Sequence, residues 1–223
     1  MQGVARRMHQ QSSSGCRMRL RLARFLLALT ACCLSAAMLS AGDLVVMSVK
    51  HQRGVFDLRV EMILDAAYED VYHVLTDYVH IYRLNPSIVE SEVMSATDNS
   101  VVRIKTLIND CVLIFCKEIL RVEDVRELGT GDLYAVIVPE LSNVKSGFTI
   151  WQVQHLGGRT RIHYQLRLEP GFFIPPLIGT QVVKRKMHKE VLVSFGNIER
   201  IARIRATSRE SAPSQGRAVE GGR

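Results

Sequence analysis

At 223 residues the chain holds one domain of ordinary size plus appended segments, enough to bury a core or to enclose a cavity. Its formal net charge of +7 is unevenly placed: residues 1–41 carry six of the 29 basic residues, all arginine, and no acidic one, leaving 23 basic against 22 acidic residues beyond. So neutral a body lacks the dense basic patch that phosphate tracking needs, and nucleic acid is not an expected partner.

The arginines belong to a leader. Met18–Arg24 is a charged region, Phe25–Leu39 an apolar run of about 15 residues, and Ser40-Ala41 offers small residues for cleavage. Residues 1–41 therefore read as a signal peptide or N-terminal anchor, with Met18 as an alternative start. The apolar run is short of the roughly 20 residues that span a bilayer. Leu29-Thr30-Ala31-Cys32 also has a lipobox-like pattern, so cleavage, lipidation at Cys32 and retention stay open. The expectation is export, to a bacterial periplasm, either free or anchored through this segment.

Residues 42–205 form the expected domain. From Val55 to Leu64, Phe56, Leu58, Val60, Met62 and Leu64 alternate with Asp57, Arg59 and Glu61, the pattern of a half-buried strand. Asp65 is the expected helix N-cap, and Val71, Val74, Leu75 and Tyr78 follow at helical spacing to about Asp77. A second short helix over 78–84 must end before Pro86. Period-two patterning then returns over 88–94, 101–108, 115–125, 133–138, 147–155 and 161–168, with turn signals between, as expected of antiparallel neighbours. A last helix is expected from Pro176 to about Arg205, with apolar Val183, Met187, Val191, Phe195, Ile198 and Ala202 on one stripe. The tail, residues 206–223, has little to bury and is expected to be disordered.

Cys111 and Cys116 are the cysteines beyond the leader. A hairpin tip at CVLIFC brings them within disulfide reach, and two buried thiols is the other reading. No second cysteine pair or closely spaced histidine pair accompanies them, so neither a metal nor a cofactor is expected.

The order strand, two helices, strands, long helix, together with Ala66, Leu75, Asp77, Tyr78, Tyr82 and Pro86, resembles the START-related SRPBCC superfamily. That superfamily includes the polyketide cyclase and lipid-transport group, the coenzyme Q-binding START proteins and the birch-pollen allergen. Gly147 and Trp151, Thr160 in its glycine-rich turn and Tyr164 match too, over about Val49 to Arg203. The resemblance implies an α+β helix-grip fold: a curved antiparallel sheet of about seven strands around a long C-terminal helix, with two short helices after the first strand. It also implies a hydrophobic cavity between sheet and helix.

In that fold Leu58, Val60, Ile104, Leu120, Trp151 and Tyr164 face Val183, Met187 and Val191 across the cavity, unless these side chains fill a solid core. Glu118 or Tyr164 is the expected inward polar group. The apolar loop Phe172, Phe173, Ile174, Pro175 and Pro176 is expected to gate the cavity and to touch a membrane surface, with Lys184, Arg185 and Lys189 behind it. His155 and His163 are expected as a solvated pair on the outer face. With no nucleophile elbow and no phosphate loop, binding and transport of a lipid, isoprenoid or quinone-like molecule is preferred to catalysis. A cavity enzyme of the cyclase/dehydratase type and a ligand-free envelope interaction module are the alternatives.

Overall fold

The computed structural model describes residues 42–97, 101–112, 115–172 and 179–211. Eight antiparallel strands form one sheet in the order β1-β2-β8-β7-β6-β5-β4-β3. The strands are β1 (Asp43–Gln52), β2 (Val55–Leu64), β3 (Ile88–Thr97), β4 (Val101–Val112), β5 (Phe115–Glu127), β6 (Leu133–Ile137), β7 (Val144–Leu156) and β8 (Arg159–Pro170). Helix α1 (Tyr68–Thr76) and a 3-10 helix (Tyr78–Arg83) follow β2, and α2 (Gly179–Ser211) closes the domain. This is the helix-grip arrangement expected, with one strand more.

The added strand is β1. Its run of apolar residues comes soon after the apolar run of residues 25–39, and a bulge between Leu44 and Val46 breaks the alternation that would have marked it. Val45 and Val46 are left about half exposed at the sheet edge. Arg53 and Gly54 turn the chain into β2 with φ of 50° and 82°, the left-handed pair that a two-residue hairpin demands.

Alternation decides which side chains reach the core. Phe56, Leu58, Val60, Met62 and Leu64 of β2 are all buried, and in register with them β8 contributes Ile162. Val71, Val74 and Leu75 of α1 and Val191, Phe195, Ile198 and Ala202 of α2 complete the main cluster. Removing each of these side chains other than Ala202 from water is worth roughly 1.5–3 kcal/mol. Tyr78, Ile104, Val125 and Ala135 form a smaller cluster beside it.

Two expectations are corrected. Asp65 does not cap α1: Ala67 stands at the N-cap with no side-chain bond, and the Asp65 carboxylate instead accepts from Arg203 Nη2 at 2.5 Å. Among the described residues helix α2 covers Gly179–Ser211, 33 residues and about 50 Å, so it continues through 206–211, where a disordered tail was expected; the expected start at Pro176 lies outside the described residues. Its last turns are held where the sequence offered only polar residues, because Arg205 and Arg209 reach the fully buried carboxylate of Asp70 on α1. Residues 1–41 and 212–223 lie outside the described residues.

Glycine matters where backbones approach closely. At Gly147 a Cβ would stand 2.6 Å from the Arg167 carbonyl oxygen and 2.9 Å from Ile137 Cδ1, so β7 can carry no side chain there. Gly131, at φ 85°, turns β5 into β6 beneath the Tyr68 hydroxyl, which any Cβ would strike.

Candidate functional site

A hollow of about 250 Å³ lies between the sheet and α2. Leu58, Ile108, Trp151 and Leu166 form its sheet wall, Met187, Val191 and Phe195 its helix wall, and Ile81 and Leu84 one flank. A second chamber of about 90 Å³ shares Arg121, Trp151 and Tyr164 with the first and adds Ile104, Glu123 and Val125. The larger chamber sits just below the roughly 300–1,000 Å³ of ordinary small-molecule pockets.

Its sheet wall is aromatic in the middle. The Trp151 and Tyr164 rings, directly opposite in the β7–β8 register, have centroids 4.3 Å apart, and Phe195 lies 5.7 Å and 6.0 Å from them. Beside the rings stands an inward charge pair: Arg121 Nε is 3.0 Å from Glu123 Oε2, and Glu123 is only 3% exposed. Burial pushes the Tyr164 hydroxyl up to about 12, with nearby Arg121 drawing it down and Glu123 raising it further. It therefore stays a neutral donor and acceptor at ordinary pH.

Polar anchors fix α2 to the rim. Asn85 Nδ2 donates to the Glu190 carbonyl oxygen (3.2 Å) and to Ser194 Oγ (2.9 Å), and Asn197 Nδ2 donates to the Leu84 carbonyl oxygen (3.1 Å). Lys186 Nζ reaches Asp110 Oδ1 on β4 at 2.7 Å and Glu190 Oε1 at 2.5 Å. Burial opposes both charges, yet these bonds raise the Lys186 ammonium and lower the Glu190 carboxyl from their ordinary values.

Of the nine cavity positions read from the sequence, Leu58, Trp151, Tyr164, Met187 and Val191 line the larger chamber and Ile104 the smaller. Val60 is buried in the close-packed cluster instead. Val183, half-buried, lies one turn before Met187 and lines neither chamber. Leu120 is on the opposite face: β5 pairs Glu123 with Ile104 and Arg121 with Thr106, so its odd-numbered residues point inward. Glu118 is turned outward and exposed for the same reason.

Phe172 is half-buried with the Lys117 ammonium 5.9 Å from its ring centroid. Phe173, Ile174, Pro175 and Pro176 lie outside the described residues. Lys184, Arg185 and Lys189 follow in the first turns of α2, Arg185 and Lys189 exposed. A disulfide joins Cys111 to Cys116, which face each other at the tip of the β4–β5 hairpin.

The two histidines part company. His163 is outward, 4.0 Å from Glu61. His155 is exposed as expected, but it has the inward parity of Trp151 and Val153 on β7 and stacks on Tyr68 of α1 with centroids 4.0 Å apart. Among the described residues no cluster of three or more His, Cys, Asp and Glu has metal-holding geometry.

Arg121, Glu123, Asp110 and Lys186 were not singled out by apolar patterning. The signal was nonetheless there: once Cys111 faces Cys116 and Ile104 points inward, antiparallel register alone sets Glu123 opposite Ile104.

No protein-family model matches the sequence, and no curated protein matches it. Solved structures do. A protein of Thermus thermophilus superposes with TM-score 0.57 at 17% identity over 67% of this chain and 99% of its own. The Zhui aromatase/cyclase of Streptomyces sp. R1128 gives 0.55 at 11% identity, with 68% and 96% covered. A STAR-related lipid transfer protein fragment of Xanthomonas axonopodis gives 0.51 at 18% identity, with 68% and 98% covered. At these identities the likeness establishes the START-like helix-grip fold.

Proposed function

We propose that the protein binds and carries a hydrophobic small molecule, of lipid, isoprenoid or quinone type, in the hollow between its sheet and α2. The observation that carries this reading is the unfilled, largely apolar space walled by Leu58, Trp151, Met187 and Val191. The lipid transfer protein among the similar folds supports it by analogy. The arginine-rich leader supports export, to a periplasm or to its membrane face. Arg185 and Lys189, exposed beyond Phe172, support transient contact with an anionic membrane surface.

Native mass spectrometry of the protein purified from its own host, followed by solvent extraction, tests the reading. A co-purifying amphiphile in stoichiometric amount is expected. A bare chain that also fails to take up added lipids would leave the interaction module standing in its place.

A second reading, a cavity enzyme of the cyclase or dehydratase type, draws on the pair of half-buried Arg121 and buried Glu123 near the Tyr164 hydroxyl, and on the aromatase/cyclase of the same fold. It requires chemical change in the bound molecule. Recovery of that molecule intact after prolonged incubation would exclude it.

A further inference from the structure

We infer that the molecule held in the hollow is neutral and bears a hydroxyl group, alcoholic or phenolic, that donates its proton to Glu123 Oε1 and takes a hydrogen bond from the Arg121 guanidinium. This rests on the reading of the hollow as a ligand site and adds the chemical class of its occupant.

Glu123 is 3% exposed, and its Oε1 has no hydrogen-bond partner among the described residues. Its other oxygen lies 3.0 Å from Arg121 Nε, and that nitrogen is itself buried without a hydrogen bond. Buried polar atoms are nearly always satisfied, and an unsatisfied carboxylate oxygen is among the most costly exceptions. Both atoms belong to side chains that line the smaller chamber, and Arg121 and Tyr164 line the larger one as well. The orphaned pair thus stands where the two spaces meet, at the natural seat of a ligand's polar end.

Charge selects among polar ends. A carboxylate would set a second anion beside Glu123 with a single guanidinium between them. An ammonium group would satisfy Glu123 but face Arg121. An ether or a pure hydrocarbon has no proton to give Oε1 and would bury it more deeply unsatisfied. A hydroxyl does both tasks, donating to the carboxylate and accepting from the guanidinium, while the protonated Tyr164 hydroxyl lends a further partner. The larger chamber, about 250 Å³, then takes an apolar body of modest size, on the order of eight liquid-water volumes.

The chain contains one tryptophan, and it is Trp151, which lines both chambers, so its fluorescence reports occupancy directly. The full chain is titrated at neutral pH with 1-decanol, decanoate and 1-methoxydecane, each below its aggregation threshold. Binding of 1-decanol about tenfold tighter than either of the others is expected from one gained hydrogen bond and one avoided charge clash. In Glu123→Gln, which removes the charge and keeps an acceptor, decanoate should tighten until the preference falls below about threefold.

Decanoate or the ether binding as tightly as the alcohol overturns the inference and leaves the cavity reading intact, as does an unchanged preference in a folded Glu123→Gln. Should that variant not fold, the wild-type ratio decides alone. No response to any of the three probes would instead defeat the cavity reading on which the inference stands.

Discussion

Val191→Phe separates a hollow from a solid core by the sign of its effect. Val191 is 8% exposed and stands in the helix wall of the larger chamber. Phenylalanine adds four carbons net and has nearly the same helix propensity as valine, so the backbone contributes little. If the added carbons enter the space of about 250 Å³, each is removed from water for about 0.8 kcal/mol, an upper bound near 3 kcal/mol of stabilisation. If the interior is filled, the same change overpacks it and destabilises by about 1–3 kcal/mol. Urea denaturation followed by far-ultraviolet circular dichroism measures the difference, since a shifted midpoint at constant slope is a change in stability. Stabilisation with loss of 1-decanol binding is expected. A variant destabilised by about 1 kcal/mol or more, at an unchanged slope, would refute the hollow.

Phe195→Ala, by contrast, removes a ring that is 1% exposed and touches both Trp151 and Tyr164, and should cost about 3–5 kcal/mol by the same denaturation assay. The Cys111–Cys116 bond closes a short loop, with a sequence separation of 5, so on the chain-entropy account Cys111→Ser with Cys116→Ser should lose about 2 kcal/mol; an identical midpoint with and without reductant would contradict this. The Lys186–Glu190 contact should carry a pH signature, because Glu190 lies below its ordinary 4.5 and Lys186 above its ordinary 10.5. Its contribution is then full between those values, fades as pH falls through the lowered carboxyl value, and fades again as pH rises through the raised ammonium value. The stability gap between wild type and Lys186→Met should therefore be flat near neutrality and close in acid; a gap that widens in acid would contradict the assignment.

Much of the fold was legible because most strands expose one face. Alternation in β2 and β8 separates Leu58 and Ile162 from Arg59 and Arg161 with no ambiguity, and the register joins them as the pattern requires. The long helix was legible from Met187, Val191, Phe195, Ile198 and Ala202. What escaped notice was wherever polarity and burial part company. Val45 and Val46 look like core and lie at an exposed edge beside a bulge. Arg121 and Glu123 look like surface and face inward, while Leu120 does the reverse. Asp65 looked like a cap, and a distant arginine on α2 claimed it. A partner remote in sequence leaves no local mark, so such side chains become readable only once pairing is known.

The same polar groups explain why a cavity persists in a domain with ample apolar side chains to fill one. Helix α2 packs tightly at Phe195, Ile198 and Ala202, all at most 1% exposed, and loosely at Met187 and Val191. At its loose end it is tied laterally, to the turn after the 3-10 helix through Asn85 and to β4 through Lys186 and Asp110. Sinking that end of the helix onto the sheet would break buried hydrogen bonds and bring its apolar stripe against the Arg121–Glu123 pair, desolvating both charges further. On the proposed reading the inward pair acts twice: it opposes collapse of the helix onto the sheet, and it offers polar contacts to an entering ligand. Replacing both residues with leucine should close the hollow and raise stability while abolishing binding. A double variant that gains stability and still quenches Trp151 fluorescence with 1-decanol would separate the two roles and defeat this account.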